Sequence, residues 1–215
     1  MNNPNSRFFL LGAAVIGMGV ILGTVLWLKL GTPPRLALVD RPGEDGLKQY
    51  GTVPDFKLTE RSGIEVNLTR LRGKIWIADF IYTTCTDTCP LQTAAMAKLQ
   101  KEFATKSNVQ FVSVSVDPER DTPLVLNAYA DKHDADRQRW YFLTGQREQV
   151  IKLMRDGFHL SVAALPVSDD TNGIIPHSPR FVLVDGQAQI RGYYDSRAMD
   201  SLARLRNDIE ILLKG

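Results

Sequence analysis

Three runs of this chain are apolar almost without interruption: KIWIADFIY from Lys74 to Tyr82, NVQFVSVSV from Asn108 to Val116 and RFVLV from Arg180 to Val184. Short runs rich in β-branched and aromatic residues suit strands buried on both faces. Helical patterns separate them. Leu91, Ala95, Leu99 and Phe103 recur at four-residue spacing, which predicts one buried helix face. Pro123–Ala130 and Gln146–Arg155 predict two more helices, with Trp140–Leu143 as a short strand between them. Leu202, Leu205, Ile209 and Leu212 predict a final helix over Ala198–Leu213. Upstream, Asp55–Leu58 and Ile64–Leu68 read as a hairpin around Arg61, Ser62 and Gly63. Strands alternating with helices imply an α/β sheet with crossover connections. In such sheets the chemistry gathers beyond the carboxyl ends of the central strands. The Lys74–Tyr82 run ends at YTTCTDTCP, so both cysteines of the chain fall at that edge.

The beginning of the chain has a different character. Phe8 to Leu28 carries no charged side chain, and Trp27 and Lys29 stand at its end as interfacial anchors. As a helix this stretch is roughly 30 Å long, enough to cross the hydrocarbon of a bilayer. It exceeds the usual core of a signal peptide and no A-x-A-like site follows it, so an uncleaved anchor is expected. The expected organisation is a cytoplasmic tail over residues 1–7, a transmembrane anchor over 8–30, a linker over 31–50 and one folded domain over 51–215. Arg7 precedes the apolar run, while Lys29, Arg35 and Arg41 follow it, and simple positive-inside counting would keep the domain in the cytoplasm. Long domains cross largely regardless of such counts, and a short tail before an apolar run resembles a signal anchor. Seven residues are too few for a mitochondrial presequence. The expectation is therefore a single-pass protein of a bacterial inner membrane, bound to the lipid bilayer by its first helix, with its C-terminal domain in the periplasm.

The formal net charge of the 215 residues is +2, and no basic run interleaves with aromatics. Nucleic acid is excluded as a partner on that ground.

Cys85 and Cys89 lie in a Thr-rich polar turn instead of an apolar strand, which favours chemistry over packing. Pro90 suits the first position of a helix, making Cys89 the expected cap. A thiol there feels the helix dipole and free backbone N–H groups, which favour the thiolate. Two thiolates alone suit a redox dithiol. Two thiolates with an imidazole make a three-coordinate site, in which sulfur selects Cu(I) and the imidazole admits Cu(II). Structural zinc would want a fourth ligand, and none is evident. Of the three histidines, His133 sits in a charged run and reads as solvated surface. His159, in GFHLSVA, reads as a structural residue of a strand or edge. His177 stands in GIIPHSPRF, a Gly/Pro-bounded loop opening onto the third apolar run, where function concentrates.

The segments ADFIYTTCTDTCPLQTAAMAKLQ, SVSVDPERDTP, WYFLTG and HSPRFVLVDGQAQIRGYYD, in that order, resemble the Sco/SenC family of copper-binding cytochrome c oxidase assembly proteins. C-x-x-x-C-P is only moderately specific; joined to D-P-E-R-D-T-P and a later H-S before F-x-L-V-D it is highly so. The likeness spans roughly Gly51 to Leu213. It implies a thioredoxin-like fold, a mixed central sheet flanked by helices, facing the periplasm. It implies copper, as Cu(I), Cu(II) or both, on the residues matching Cys85, Cys89 and His177. It further implies delivery to the copper-bearing subunit of cytochrome c oxidase, after loading by an upstream periplasmic copper donor. Thr86 departs from the family, since many relatives have Pro directly after the first cysteine. Likeness to thioredoxins singles out two more positions. Asp79, six residues before Cys85, matches a buried acid near their dithiol, either exchanging protons with the thiols or held as a hydrogen-bonded structural acid. Pro179 stands where they place a cis proline, although base rates favour trans. Asp117 and Asp121 should follow the second buried strand on the active edge, with Asp121 capping the next helix.

Two functions compete. In one, the chain is a copper metallochaperone without turnover of its own. In the other it is a thiol-disulfide oxidoreductase, with Cys85 and Cys89 catalytic and the cysteines of the oxidase copper site as substrate. A peroxiredoxin is disfavoured because the P-x-x-x-T-x-x-C context is absent. His177 discriminates, since copper needs it and dithiol exchange does not.

Overall fold

A computed structural model describes residues 41–42, 45–86, 88–160 and 178–215. The expected anchor over 8–30 and His177 lie outside the described residues. No helix among the described residues is long and apolar enough to cross a membrane.

Two short strands come first: β1 (Arg41–Pro42) pairs antiparallel with β2 (Lys48–Gln49). A seven-stranded sheet follows, made of β3 (Lys57–Glu60), β4 (Glu65–Asn67), β5 (Ile75–Ile81), β6 (Val109–Ser115), β7 (Trp140–Thr144), β8 (Arg180–Val184) and β9 (Ile190–Asp195). Its order is β4-β3-β7-β6-β5-β8-β9. The three central strands β7, β6 and β5 are parallel, and antiparallel pairs close both sides. Every residue of β5 and β6 is buried, as their unbroken apolar runs require. The β3–β4 hairpin forms where expected. Gly63 takes φ +85°, a conformation that costs a side chain dearly, and its N–H donates to the Glu60 carbonyl at 2.7 Å.

Three helices connect the strands, α1 (Thr88–Glu102), α2 (Pro123–Lys132) and α3 (Arg147–Lys152), and α4 (Met199–Leu212) follows the last strand. The helix expected over Gln146–Arg155 splits, since α3 passes into a π turn at Leu153–Gly157. Side chains alternate across β5, and the two layers differ accordingly. Trp76 and Phe80 point to one face and meet Phe158 edge-on at 5.9 and 5.2 Å. The other face carries Asp79 and is covered by α2, α1 and α4. Thr93 of α1 bonds Tyr129 of α2 at 2.8 Å, and Arg206 of α4 donates to Glu102 of α1 at 2.6 Å. Tyr194 of β9 donates to Asp208 of α4, also at 2.6 Å.

Two expectations need correcting. The buried face of α1 is Cys89, Gln92, Thr93, Met96, Leu99 and Gln100, while Leu91 is exposed. A strict four-residue row drifts about 40° per step around a helix, so a row begun at Leu91 reaches the core only at Leu99 and Phe103. The segment expected as a linker is tied down in its second half. The Arg191 guanidinium, buried on β9, donates to Asp45 at 2.5 Å, Asp185 at 2.9 Å and the Lys48 carbonyl at 3.1 Å. Tyr50 then packs edge-on against Tyr193 at 5.3 Å.

Candidate metal centre

Because β5 runs parallel to β6 and β7, its C-terminal end opens on the sheet edge where both crossover helices begin. Cys85 and Cys89 sit there as free thiols, and both are buried. The Cys85 N–H donates to the Tyr82 carbonyl at 3.2 Å, which turns the chain off the strand. The Cys89 N–H then donates to the Cys85 sulfur at 3.3 Å, so the turn itself sets the two thiols together. Helix α1 begins at Thr88, one residue before Cys89, so Cys89 is a first-turn residue and not the cap. The expected thiolate stabilisation at Cys89 does not appear. Burial, above all, pushes this thiol well up, and its hydrogen bond with Cys85 and the nearby Asp79 add to the rise.

The loop between β5 and α1 is held by Asp121. Its buried carboxylate accepts from the Thr83 hydroxyl at 2.5 Å, the Thr83 N–H at 3.1 Å and the Ser115 hydroxyl at 2.6 Å. Asp121 was expected to cap α2; the cap is Thr122, whose side chain accepts from the Val125 N–H, with Pro123 in the first position. Asp117 lies on the same edge and accepts from Arg120 at 3.2 Å, with Arg147 at 3.7 Å.

Asp79 is fully buried on the face that α1 covers, and neither carboxylate oxygen has a well-formed hydrogen bond. Burial pushes it up to about 7, a rise that Ser113 and Gln92, the polar side chains facing it, offset only in part. Ser113, opposite Asp79 in the register, accepts the Trp140 indole N–H at 2.9 Å. Burial likewise raises the Tyr129 phenol against the pull of Thr93, with Asp79, Cys89 and Cys85 close enough to add to it. Sequence reasoning missed Gln92, Thr93, Ser113 and Tyr129. The first two had a signal, lying three and four residues after Cys89 on one helix face; Ser113 and Tyr129 had none.

Among the described residues, no group of three His, Cys, Asp or Glu side chains could hold a metal ion. Cys85 and Cys89 supply two soft donors, and the third expected ligand, His177, lies outside the described residues. His133 is half-buried against Tyr129 at 4.7 Å between ring centroids, closing the end of α2 instead of standing in solvent. His159 follows the π turn outside any strand, with φ +50°. Its Nε2 lies 3.0 Å from where a Cβ on Gly51 would sit, so only glycine fits there without displacement. No cis peptide bond occurs among the described residues, so the bond before Pro179 is trans.

The family model described as SCO1/SenC matches residues 44–214. An SCO2-like protein of Rickettsia conorii is 32% identical over 200 residues, covering 90% of this chain and 92% of its own. The crystal structure of a SCO1/SenC family lipoprotein from Bacillus anthracis matches with a TM-score of 0.68 and 34% identity, over 75% of this chain and 95% of its own. BsSco, described as a member of the Sco family of cytochrome c oxidase assembly proteins with a disulfide switch, matches at 0.64 and 29% over 75% and 92%. Bradyrhizobium japonicum ScoI, solved with copper bound, has the same fold at 0.58 and 23% identity, over 73% and 99%.

Proposed function

Because the chain belongs to the SCO1/SenC family, we propose that it is a copper carrier holding one ion on Cys85, Cys89 and His177 and delivering it to the copper-bearing subunit of a cytochrome c oxidase. The observation that carries this reading is the pair of free thiols at the end of β5, set together by the Cys89 N–H on the Cys85 sulfur. Soft sulfur donors select Cu(I), and an imidazole extends the site to Cu(II). Relatives of this family are copper-binding, and BsSco is placed among oxidase assembly proteins. Copper is cargo here. Each thiol gives up a proton when it binds, at a cost that burial raises for Cys89. An upstream periplasmic donor would load the site, and residues 8–30 would hold the chain in a bacterial inner membrane.

Anaerobic copper titration of the reduced and oxidised protein tests the ligands. Reduced protein should take up one ion with high affinity. A Cys85–Cys89 disulfide removes two donors at once, so oxidised protein should retain only adventitious copper. Equal retention by the two forms would refute the assignment.

A second reading, thiol-disulfide exchange on the cysteines of the oxidase copper site, is favoured by the closeness of the two thiols and by the disulfide switch described for BsSco. The activities are compatible, since reduction must precede loading.

A further inference from the structure

Five large apolar side chains are exposed among the described residues: Ile64, Leu91, Leu124, Val125 and Met199. Four of them share one feature. Leu91 lies in the first turn of α1, Leu124 and Val125 in the first turn of α2, and Met199 begins α4. All three helices leave strands that end on the cysteine edge, because β9 runs parallel to β5 across the intervening β8. They cover the same face of the sheet with α1 in the middle, as the Thr93–Tyr129 and Glu102–Arg206 bonds require. The apolar side chains therefore form a row along the cysteine edge, roughly 20 Å from α2 to α4 at ordinary helix spacing. Leu91, Leu124 and Met199 are 63%, 79% and 84% exposed, at positions where water favours polar groups.

We infer that this row is the docking surface for the protein domain that receives copper from Cys85 and Cys89, an acceptor with an apolar rim around its own copper ligands. The inference rests on the copper-carrier reading. Both cysteines are buried, so acceptor ligands reach them only when the acceptor's surface presses onto the edge. Among the described residues most charges flanking the row are closed on one another: Arg147 on Glu119, Arg120 on Asp117 and Arg197 on Asp195. Apolar contact is therefore the larger free resource of that edge, with the exposed Arg180 and Asp200 as a polar rim. Transfer is ligand exchange: copper keeps its oxidation state, and the released thiolates take up the protons lost by the acceptor's thiols.

The test uses the full-length, copper-loaded protein and the reduced, metal-free soluble domain of the oxidase subunit that bears the binuclear copper site. Leu91→Ser, Leu124→Ser and Met199→Ser, singly and together, are compared with Ile64→Ser, the exposed apolar residue in the β3–β4 turn at the other end of the sheet. Each edge variant should hold copper as the parent does yet deliver it at least about fivefold more slowly, and the triple variant about a hundredfold. Ile64→Ser should match the parent, and raising salt should change the parental rate less than about threefold. Parental delivery by a copper-holding triple variant, or equal slowing by Ile64→Ser, overturns the inference and leaves the carrier reading standing. A parent that holds no copper overturns both.

Discussion

A carboxyl group whose desolvation outweighs its hydrogen bonding keeps its proton above the ordinary carboxylate range, and burial raises Asp79 to about 7 against the pull of Ser113 and Gln92. The unfolded chain ionises this group near 3.8. Between these values the native state binds a proton that the unfolded state lacks, so its contribution to stability is complete below about 3.8, falls as pH rises, and levels off above about 7. Asp79→Asn removes the titration. In the reduced, metal-free protein it should raise stability at pH 8 by up to about 4 kcal/mol and change it little at pH 4. Denaturant unfolding at the two pH values measures this, and an equal effect at both would refute the assignment. His177→Ala tests the third proposed ligand. Loss of the imidazole should weaken Cu(II) more than Cu(I), which two thiolates still hold, and leave exchange with a small disulfide nearly unchanged. If oxidase assembly fails in a variant with normal thiol exchange, delivery is the function; if it survives, reduction is.

Between elements, the Asp121 carboxylate is the tie that matters most to the thiols. It joins the end of β6 to Thr83, two residues before Cys85, through three hydrogen bonds. Asp121→Ala leaves the buried Ser115 hydroxyl and the part-buried Thr83 donors without this acceptor, and should cost about 3 kcal/mol in denaturant unfolding. Thr122→Ala, which removes only the α2 cap, should cost about 1 kcal/mol. The larger loss should also loosen the Cys85–Cys89 turn, so copper affinity should drop in Asp121→Ala and hold in Thr122→Ala. Equal copper affinity in the two variants would mean that the turn keeps its shape without Asp121.

For the molecule as a whole, the proposed membrane anchor raises the question of the side on which copper would be handled. Residues 8–28 are uncharged over a length that spans a bilayer, and charge counting around them favours the side opposite to the proposed one. A reporter fused after Gly215 settles the matter. One that works only after export should be active if the domain lies in the periplasm, and activity of a cytoplasm-only reporter would place it inside. The described fold is compatible with either side, since its sheet and helices make their own core.

What the chain's own pattern determined was local. Contiguous apolar runs marked β5, β6 and β8 to within a residue, and their alternation with helical spacing gave the α/β class and put Cys85 and Cys89 at the carboxyl edge of the parallel strands. The copper reading came from assembling motifs far apart in the chain into one family resemblance. Tertiary structure decided what lies around the thiols. Register set Ser113 opposite Asp79, and the packing of α1 against α2 brought Thr93 to Tyr129. The folded crossing of β5 and β6 gave Asp121 to Thr83 in place of the helix end. Burial of Asp79, offset only in part by Ser113 and Gln92, then raised its pKa. Periodicity along the chain records which face of an element is apolar, whereas partners across elements depend on register and packing, which no local pattern encodes.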